Sequence, residues 1–187
     1  MVATCTDRIS LDDFVFEMMH CQVKDLKLPA LQDLFGRLDL KEMLINEHVH
    51  FCKDSYSRNL VCRTPRFDML ILCWKPGHVT TIHDHAGSLN VTRVYSGNLT
   101  ARMFEPYDRP EPGKILVRQV EEERVGKGLF SSCDYAGIHQ LANTSRDDLV
   151  TVHVYARPLK DITVYEPSTG EAKRVALRYT LEDEFAA

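Results

Sequence analysis

Gly77-His78-Val79-Thr80-Thr81-Ile82-His83-Asp84-His85 is the stretch on which the fold reading turns. Side chains at i and i+2 of an extended strand share a face, so His83 and His85 can meet one ion while Asp84 faces away. A helix would make that convergence awkward. The flanks support strand, because Val79-Thr80-Thr81-Ile82 precedes the pair and Val91-Thr92-Arg93-Val94-Tyr95 follows it, both rich in β-branched residues. The pair is therefore expected in sheet. His139, with Asn143 four residues on, adds a third imidazole from a distant strand, and no obvious carboxylate accompanies the three.

Outward from this stretch, short β-type runs recur: Phe67 to Trp74, Val91 to Tyr95, Leu99 to Phe104, Ile115 to Val120, Gly128 to Cys133, Leu149 to Tyr155 and Val175 to Tyr179. Ser96-Gly97-Asn98 and Ser168-Thr169-Gly170 read as hairpin turns, and Pro106 to Gly113 as a longer loop. So many short strands imply a sandwich or barrel, and their spacing fits an antiparallel jelly roll of two sheets. Residues up to about 50 read as helical. Ser10-Leu11-Asp12-Asp13 resembles a capping box ahead of Leu11, Phe14, Phe16, Met18 and Met19. Pro29 can start a second helix carrying Leu31, Leu34, Phe35 and Leu38, and Leu40 to Ile45 a third. The expected organisation is one domain over 1–187, with 1–50 a helical cover and 51–187 the mainly β jelly roll.

The chain has 187 residues, 44% of them hydrophobic, which suffices for a packed core. A formal charge of −4 argues against a general nucleic-acid or anionic-membrane surface, so no partner of either kind is expected. No apolar run reaches the length of a membrane span, and Met1 to Arg8 lacks the basic-then-apolar order of a signal peptide, so a cytoplasmic location is expected; a monomer is the expected state, though nothing in the sequence fixes it. The six cysteines, at 5, 21, 52, 62, 73 and 133, contain no Cys-x-x-Cys pair and read as reduced structural thiols.

An isolated histidine is ordinarily a surface or hydrogen-bonded core residue. His48-Val49-His50 is such a case: it follows Asn46-Glu47 near a helix end, has no glycine spacing around it, and takes no metal role. Gly77, His83, His85 and Gly97, by contrast, have the spacing of the first cupin motif, and Gly137-Ile138-His139-Gln140-Leu141-Ala142-Asn143 resembles the second. The fold implied is a cupin-type antiparallel jelly-roll barrel or sandwich. The glutamate ligand usual in cupins would fall at Leu89 or Asn90, and neither is acidic. Three neutral imidazoles leave a divalent ion its full charge and open positions, unlike the two-histidine, one-carboxylate site of many non-haem iron oxygenases. A structural zinc would favour a closed four-ligand shell, so an open functional site is the better reading.

Tyr56-Ser57-Arg58-Asn59-Leu60-Val61, then Phe67 to Trp74, then Gly77 to His85, with Thr151-Val152-His153-Val154-Tyr155 and Ser168-Thr169-Gly170, resemble the cysteine dioxygenase family of thiol dioxygenases over roughly residues 50 to 180. The resemblance implies Fe(II) held by His83, His85 and His139, with substrate thiolate and amine chelating it beside an O2 position. Both oxygen atoms then pass to sulfur. A soft thiolate suits an uncharged three-histidine shell, which makes the missing carboxylate intelligible. Arg58 is implied as the bidentate partner of the substrate carboxylate, with Tyr56 on the same strand face adding a phenol. Thr151, His153 and Tyr155 correspond to the family's Ser-x-His-x-Tyr relay, Tyr155 orienting thiol and oxygen and His153 fixing its hydroxyl from outside the metal shell.

Two positions depart from the pattern. Animal members carry, where this chain has Asn90, a cysteine that cross-links to the tyrosine equivalent to Tyr155; no such thioether can form here, and Asn90 adds an amide near the pocket. Ala156-Arg157-Pro158 stands where cysteine-selective members commonly have Ser-Pro, and Arg157 could present a second positive charge to substrate. The expected activity is oxidation of L-cysteine to its sulfinate. 3-Mercaptopropionate or another small thiol acid is the alternative substrate, and a non-catalytic cupin binding a metal or small acid is the alternative of another class.

Overall fold

Three helices and eleven strands make up the described part of the chain: α1 (Leu11–His20), α2 (Leu28–Arg37), α3 (Glu42–His48), β1 (Ser57–Arg63), β2 (Phe67–Trp74), β3 (Ile82–His83), β4 (Leu89–Ser96), β5 (Asn98–Asp108), β6 (Leu116–Gly126), β7 (Phe130–Cys133), β8 (Ile138–Ala142), β9 (Leu149–Ala156), β10 (Asp161–Tyr165) and β11 (Ala172–Ala176). The computed structural model describes residues 8–21 and 26–180. The leader reading of Met1 to Asp7, Cys5, and the remainder of the expected domain at 22–25 and 181–187 lie outside the described residues. The strands pair antiparallel in two sheets, ordered β1-β2-β9-β4-β7 and β11-β10-β3-β8-β5-β6. This is the mainly β, cupin-type jelly roll.

The central strands β2 and β9 are buried at every position, so neither shows the two-residue alternation of a half-exposed strand. Their alternation instead sorts residues between two cores. Phe67, Met69, Ile71 and Cys73 of β2, with Val150, Val152 and Val154 of β9, pack outward against Phe14, Met18, Leu31, Leu34 and Phe35 of the helices. Leu70, Leu72 and Trp74 face inward with Leu149 and Tyr155, against Leu99, Ala101 and Leu141 of the other sheet. The helices thus cover one face of one sheet, and the space between the sheets is left for the polar residues below.

Ser10 caps α1: its hydroxyl accepts from the Asp13 amide while the Asp13 carboxylate accepts from the Ser10 amide and hydroxyl. Phe14, fully buried, meets the Phe67 ring edge-on at 5.7 Å and Phe35 at 6.0 Å. Phe14→Ala should therefore cost about 3–5 kcal/mol of unfolding free energy, read as a lower urea midpoint at unchanged slope.

Several boundaries differ from the sequence expectation. The third helix lies at Glu42–His48 rather than Leu40 to Ile45, and Phe16 is 62% exposed instead of facing the core. Ser96-Gly97-Asn98 is no hairpin. β4 pairs with β7 and β9, and β5 with β6 and β8, so this turn carries the chain from one sheet to the other. Gly97 sits there at φ 83, where a Cβ would stand 2.6 Å from the Asp148 carbonyl oxygen. β5 runs through Pro106 to Asp108, its register shifting beside Pro106, which shortens the expected loop. The last strand ends at Ala176 rather than Tyr179. Ser168-Thr169-Gly170 does join paired neighbours, β10 and β11.

Candidate metal centre and substrate pocket

His83 ends β3 and stands directly opposite His139 of β8, a register that brings paired side chains of one face together. His85 arrives differently from expectation: it lies beyond β3, ahead of a tight turn with Ala86 at φ 49 and Gly87 at φ 84. Asp84 makes that turn. One of its carboxylate oxygens accepts from the amides of Ala86 at 2.9 Å and Thr163 at 3.2 Å, and the other from the Tyr165 hydroxyl at 2.8 Å. A strand alone does not converge this pair; a side-chain-capped turn swings His85 back.

The three imidazoles are 7%, 1% and 2% exposed for His83, His85 and His139. One ring nitrogen from each lies within 4.8 Å of the others, the only such His, Cys, Asp or Glu cluster among the described residues. His83 Nδ1 contacts the Thr81 carbonyl at 2.9 Å and so carries the proton there, leaving its Nε2 lone pair free. The Nε2 atoms of His85 and His139 stand 3.1 Å apart, while the buried Nδ1 of each has no hydrogen-bond partner. Imidazole nitrogens at about 2.0–2.1 Å from a divalent ion are about 3–3.4 Å from each other, a spacing the His85–His139 pair has, and three buried imidazole donors suit a metal chemically.

Burial lowers all three pKa values, His83 to about 4 and the other two well below the usual range, with the neighbouring imidazoles adding to the shift for His85 and His139. Neutral imidazole is the form that ligates. His153, buried and lowered to about 3 by desolvation, shares this behaviour. Each such group binds a proton in the unfolded chain at higher pH than in the folded one. The stabilising contribution is therefore complete above pH 6.5 and is lost as pH falls towards 4. Denaturant unfolding of metal-free protein between pH 7.5 and 4.5 should show stability falling by up to about 1.4 kcal/mol per pH unit for each such histidine.

The opposite wall comes from the other sheet. Tyr155 is buried, its ring 5.3 Å from that of His85, and desolvation raises its pKa to about 12 even though the Arg58 charge pulls downward. Arg58 rises from β1. Its backbone pairs with Thr180, amide to Oγ1 at 2.9 Å and carbonyl from the Thr180 amide at 2.8 Å, and its guanidinium lies 5.8 Å from the Tyr179 ring. Its Nε and Nη2 are buried with no hydrogen-bond partner. Tyr56 and Tyr155 both interact with the guanidinium by side-chain hydrogen bonds, yet an unpaired Nε–Nη2 edge is costly by itself and is the shape of a carboxylate receptor. Its charge helps to depress His83, His85 and His153, which places it in their field. Tyr56 precedes β1 and stacks on Trp74 at 4.5 Å.

His153 lies outside the three-nitrogen cluster. Thr151 Oγ1 is 2.7 Å from its Nε2 and Thr92 Oγ1 2.9 Å from its Nδ1, whereas the Tyr155 hydroxyl is 3.4 Å from Nδ1. Asn90 and Arg157, the other two expected substrate contacts, have partners of their own. Asn90 is buried, but its amide is occupied: Oδ1 accepts from Thr92 Oγ1 at 3.0 Å and Nδ2 donates to the Val154 carbonyl at 3.3 Å. Arg157 is exposed just beyond β9, at φ 77, with its guanidinium 5.8 Å from the Tyr135 ring. Thr92, Trp74 and Tyr179 are expected from the sequence only as strand residues, without a role at the site, and Thr180 is not singled out. Thr92, two residues from Asn90 on the same face, was the one with a usable signal. The five described cysteines are free thiols, and no described helix is long and apolar enough to cross a membrane.

A family model described as cysteine dioxygenase type I matches residues 33–168. Cysteine dioxygenase type 1 of Rattus norvegicus is 27% identical over 134 residues, covering 71% of this chain and 66% of the relative. The Homo sapiens protein of that name is 28% identical over 134 residues with the same coverage. The chain thus spans about two thirds of the length of these curated relatives. A solved structure from Thermus thermophilus aligns at TM-score 0.51 and 18% identity, covering 64% of this chain and 97% of that one, and one from Bacillus halodurans at TM-score 0.50 and 14% identity, covering 64% and 81%. At such identities the likeness is one of fold alone.

Proposed function

Because this chain belongs to the cysteine dioxygenase type I family, we propose that it is an iron(II)-dependent dioxygenase of a small carboxylated thiol, with L-cysteine as substrate. The observation that carries this reading is a buried, neutral three-histidine cluster within the field of a guanidinium whose Nε and Nη2 have no hydrogen-bond partner. A carboxylated thiolate answers both needs, since its sulfur brings negative charge to an uncharged ligand shell and its carboxylate fills the Arg58 fork.

His83, His85 and His139 would hold the iron through neutral imidazoles. When bound, the iron supplies the redox chemistry that joins O2 to the thiolate sulfur; both oxygen atoms enter the product, RS− + O2 → RSO2−, with no external reductant. Arg58 anchors the carboxylate and so fixes where the sulfur can reach. Tyr155 remains a neutral phenol at working pH and offers a hydrogen bond to the reacting sulfur and oxygen atoms. Leu72 and Trp74 of the inward core exclude water from that side.

The test is oxygen uptake with sulfinate detection by iron-loaded protein across L-cysteine, 3-mercaptopropionate and cysteamine. Cysteine sulfinate formation at the highest kcat/KM supports the reading. Preference for 3-mercaptopropionate would revise the substrate. Iron binding without sulfinate from any thiol would overturn the enzyme assignment in favour of a binding protein.

A further inference from the structure

Five hydrogen bonds run in series through the wall opposite the histidine cluster. The Trp74 indole, a donor only, gives its Nε1 hydrogen to Thr151 Oγ1 at 2.9 Å. Thr151 meets His153 Nε2 at 2.7 Å, His153 Nδ1 meets Thr92 Oγ1 at 2.9 Å, and Thr92 meets Asn90 Oδ1 at 3.0 Å. The series closes with Asn90 Nδ2 donating to the Val154 carbonyl, an acceptor only, at 3.3 Å. Trp74, Thr151, His153, Thr92 and Asn90 are all buried.

With a donor at one end and an acceptor at the other, one arrangement gives every contact a single hydrogen. The carbonyl requires the Asn90 NH2 side, which turns Oδ1 to Thr92. Thr92 then spends its own hydrogen on Asn90 and must accept from His153. His153, with one N–H when neutral, places it on Nδ1 and takes the Thr151 hydroxyl hydrogen at Nε2. Both imidazole nitrogens are thereby committed. Tyr155 Oη, 3.4 Å from a nitrogen that carries a hydrogen, has nothing there to donate to.

We propose that Thr92, backed by Asn90, is a positioning residue that holds His153 as its Nδ1–H tautomer, so that Tyr155 points its hydroxyl hydrogen into the metal pocket rather than at His153. The β4–β9 register makes this possible by setting Thr92 opposite His153 and Asn90 opposite Tyr155. In this chain, position 90 therefore acts on the relay through position 92. The consequence for turnover rests on the dioxygenase reading; the tautomer does not.

The experiment is side-chain 15N–1H correlation NMR on the histidines of the 187-residue chain, stripped of metal by chelation, with the His153 signal identified by its loss in His153→Gln. The expected spectrum shows His153 protonated on Nδ1 alone. Thr92→Val, which removes the acceptor at nearly constant volume, introduces an Nε2-protonated population, and Thr92→Ser restores the single form. In iron-loaded protein the valine variant loses about tenfold in kcat with KM for thiol unchanged, and the serine variant recovers it. A wild-type His153 protonated on Nε2, or a valine variant with an unaltered His153 spectrum, overturns the proposal. Loss of KM instead of kcat also counts against it, because that would make Thr92 part of substrate binding. If the spectra behave as expected but no thiol yields sulfinate, the dioxygenase reading fails and the tautomer assignment stands.

Discussion

His139→Ala leaves a chain that folds but retains no iron and forms no sulfinate. His139 is central to the cluster, since its Nε2 stands 3.1 Å from His85 Nε2 and its ring sits opposite His83 across the β3–β8 ladder. Two imidazoles without a carboxylate make a poor iron site, and the resemblance of the second motif offers no substitute ligand. Metal analysis after anaerobic loading should fall from near one iron per chain to background. Activity should fall by more than the roughly 10–100-fold that follows loss of a group merely supporting a ligand. Thermal melting of the metal-free variant serves as the control: a melting point within a few degrees of the parent separates ligand loss from unfolding. Retention of stoichiometric iron would remove His139 from the site.

Arg58→Met gives the second large effect, in two directions at once. For L-cysteine, kcat/KM should fall about 10²–10³-fold, the equivalent of roughly 3–4 kcal/mol for a buried, bidentate carboxylate contact. For cysteamine, which has no carboxylate, the value should change little. The same substitution should leave the ligand-free protein as stable as the parent or more so, because Arg58 buries a charge whose Nε and Nη2 have no hydrogen-bond partner. An arginine of purely structural role would show the reverse pattern, with lower stability and equal losses on both thiols.

Legibility followed physical range. Capping of α1 by Ser10, the run Phe67–Trp74 and the hairpin at Ser168-Thr169-Gly170 are set by neighbours a few residues apart, and the sequence reading placed them. Ser96-Gly97-Asn98 misled because a turn sequence records a change of direction, not which strand lies alongside. Whether β4 and β5 pair is decided by β9 and β8 competing for their edges. Arg157 and Asn90 were read as substrate contacts from their positions in a motif. Only the fold supplies their surroundings: Arg157 lies at the surface near Tyr135, and Asn90 is bound to Thr92 and Val154.

By itself the sequence determined the chemistry available: three imidazoles without a carboxylate partner, an arginine in a Tyr-x-Arg-Asn-Leu context, a Thr-x-His-x-Tyr strand, and a mainly β chain to carry them. Tertiary structure alone decided which of these groups meet and which way their hydrogens point. His85 converges only because Asp84 is capped by Thr163 and Tyr165 from β10. His153 is held in one form only because register sets Thr92 of β4 across from it. Residue identity sets what a side chain can donate or accept; partners far apart in sequence set what it does, because hydrogen bonds reach about 3 Å and only folding brings such groups that close.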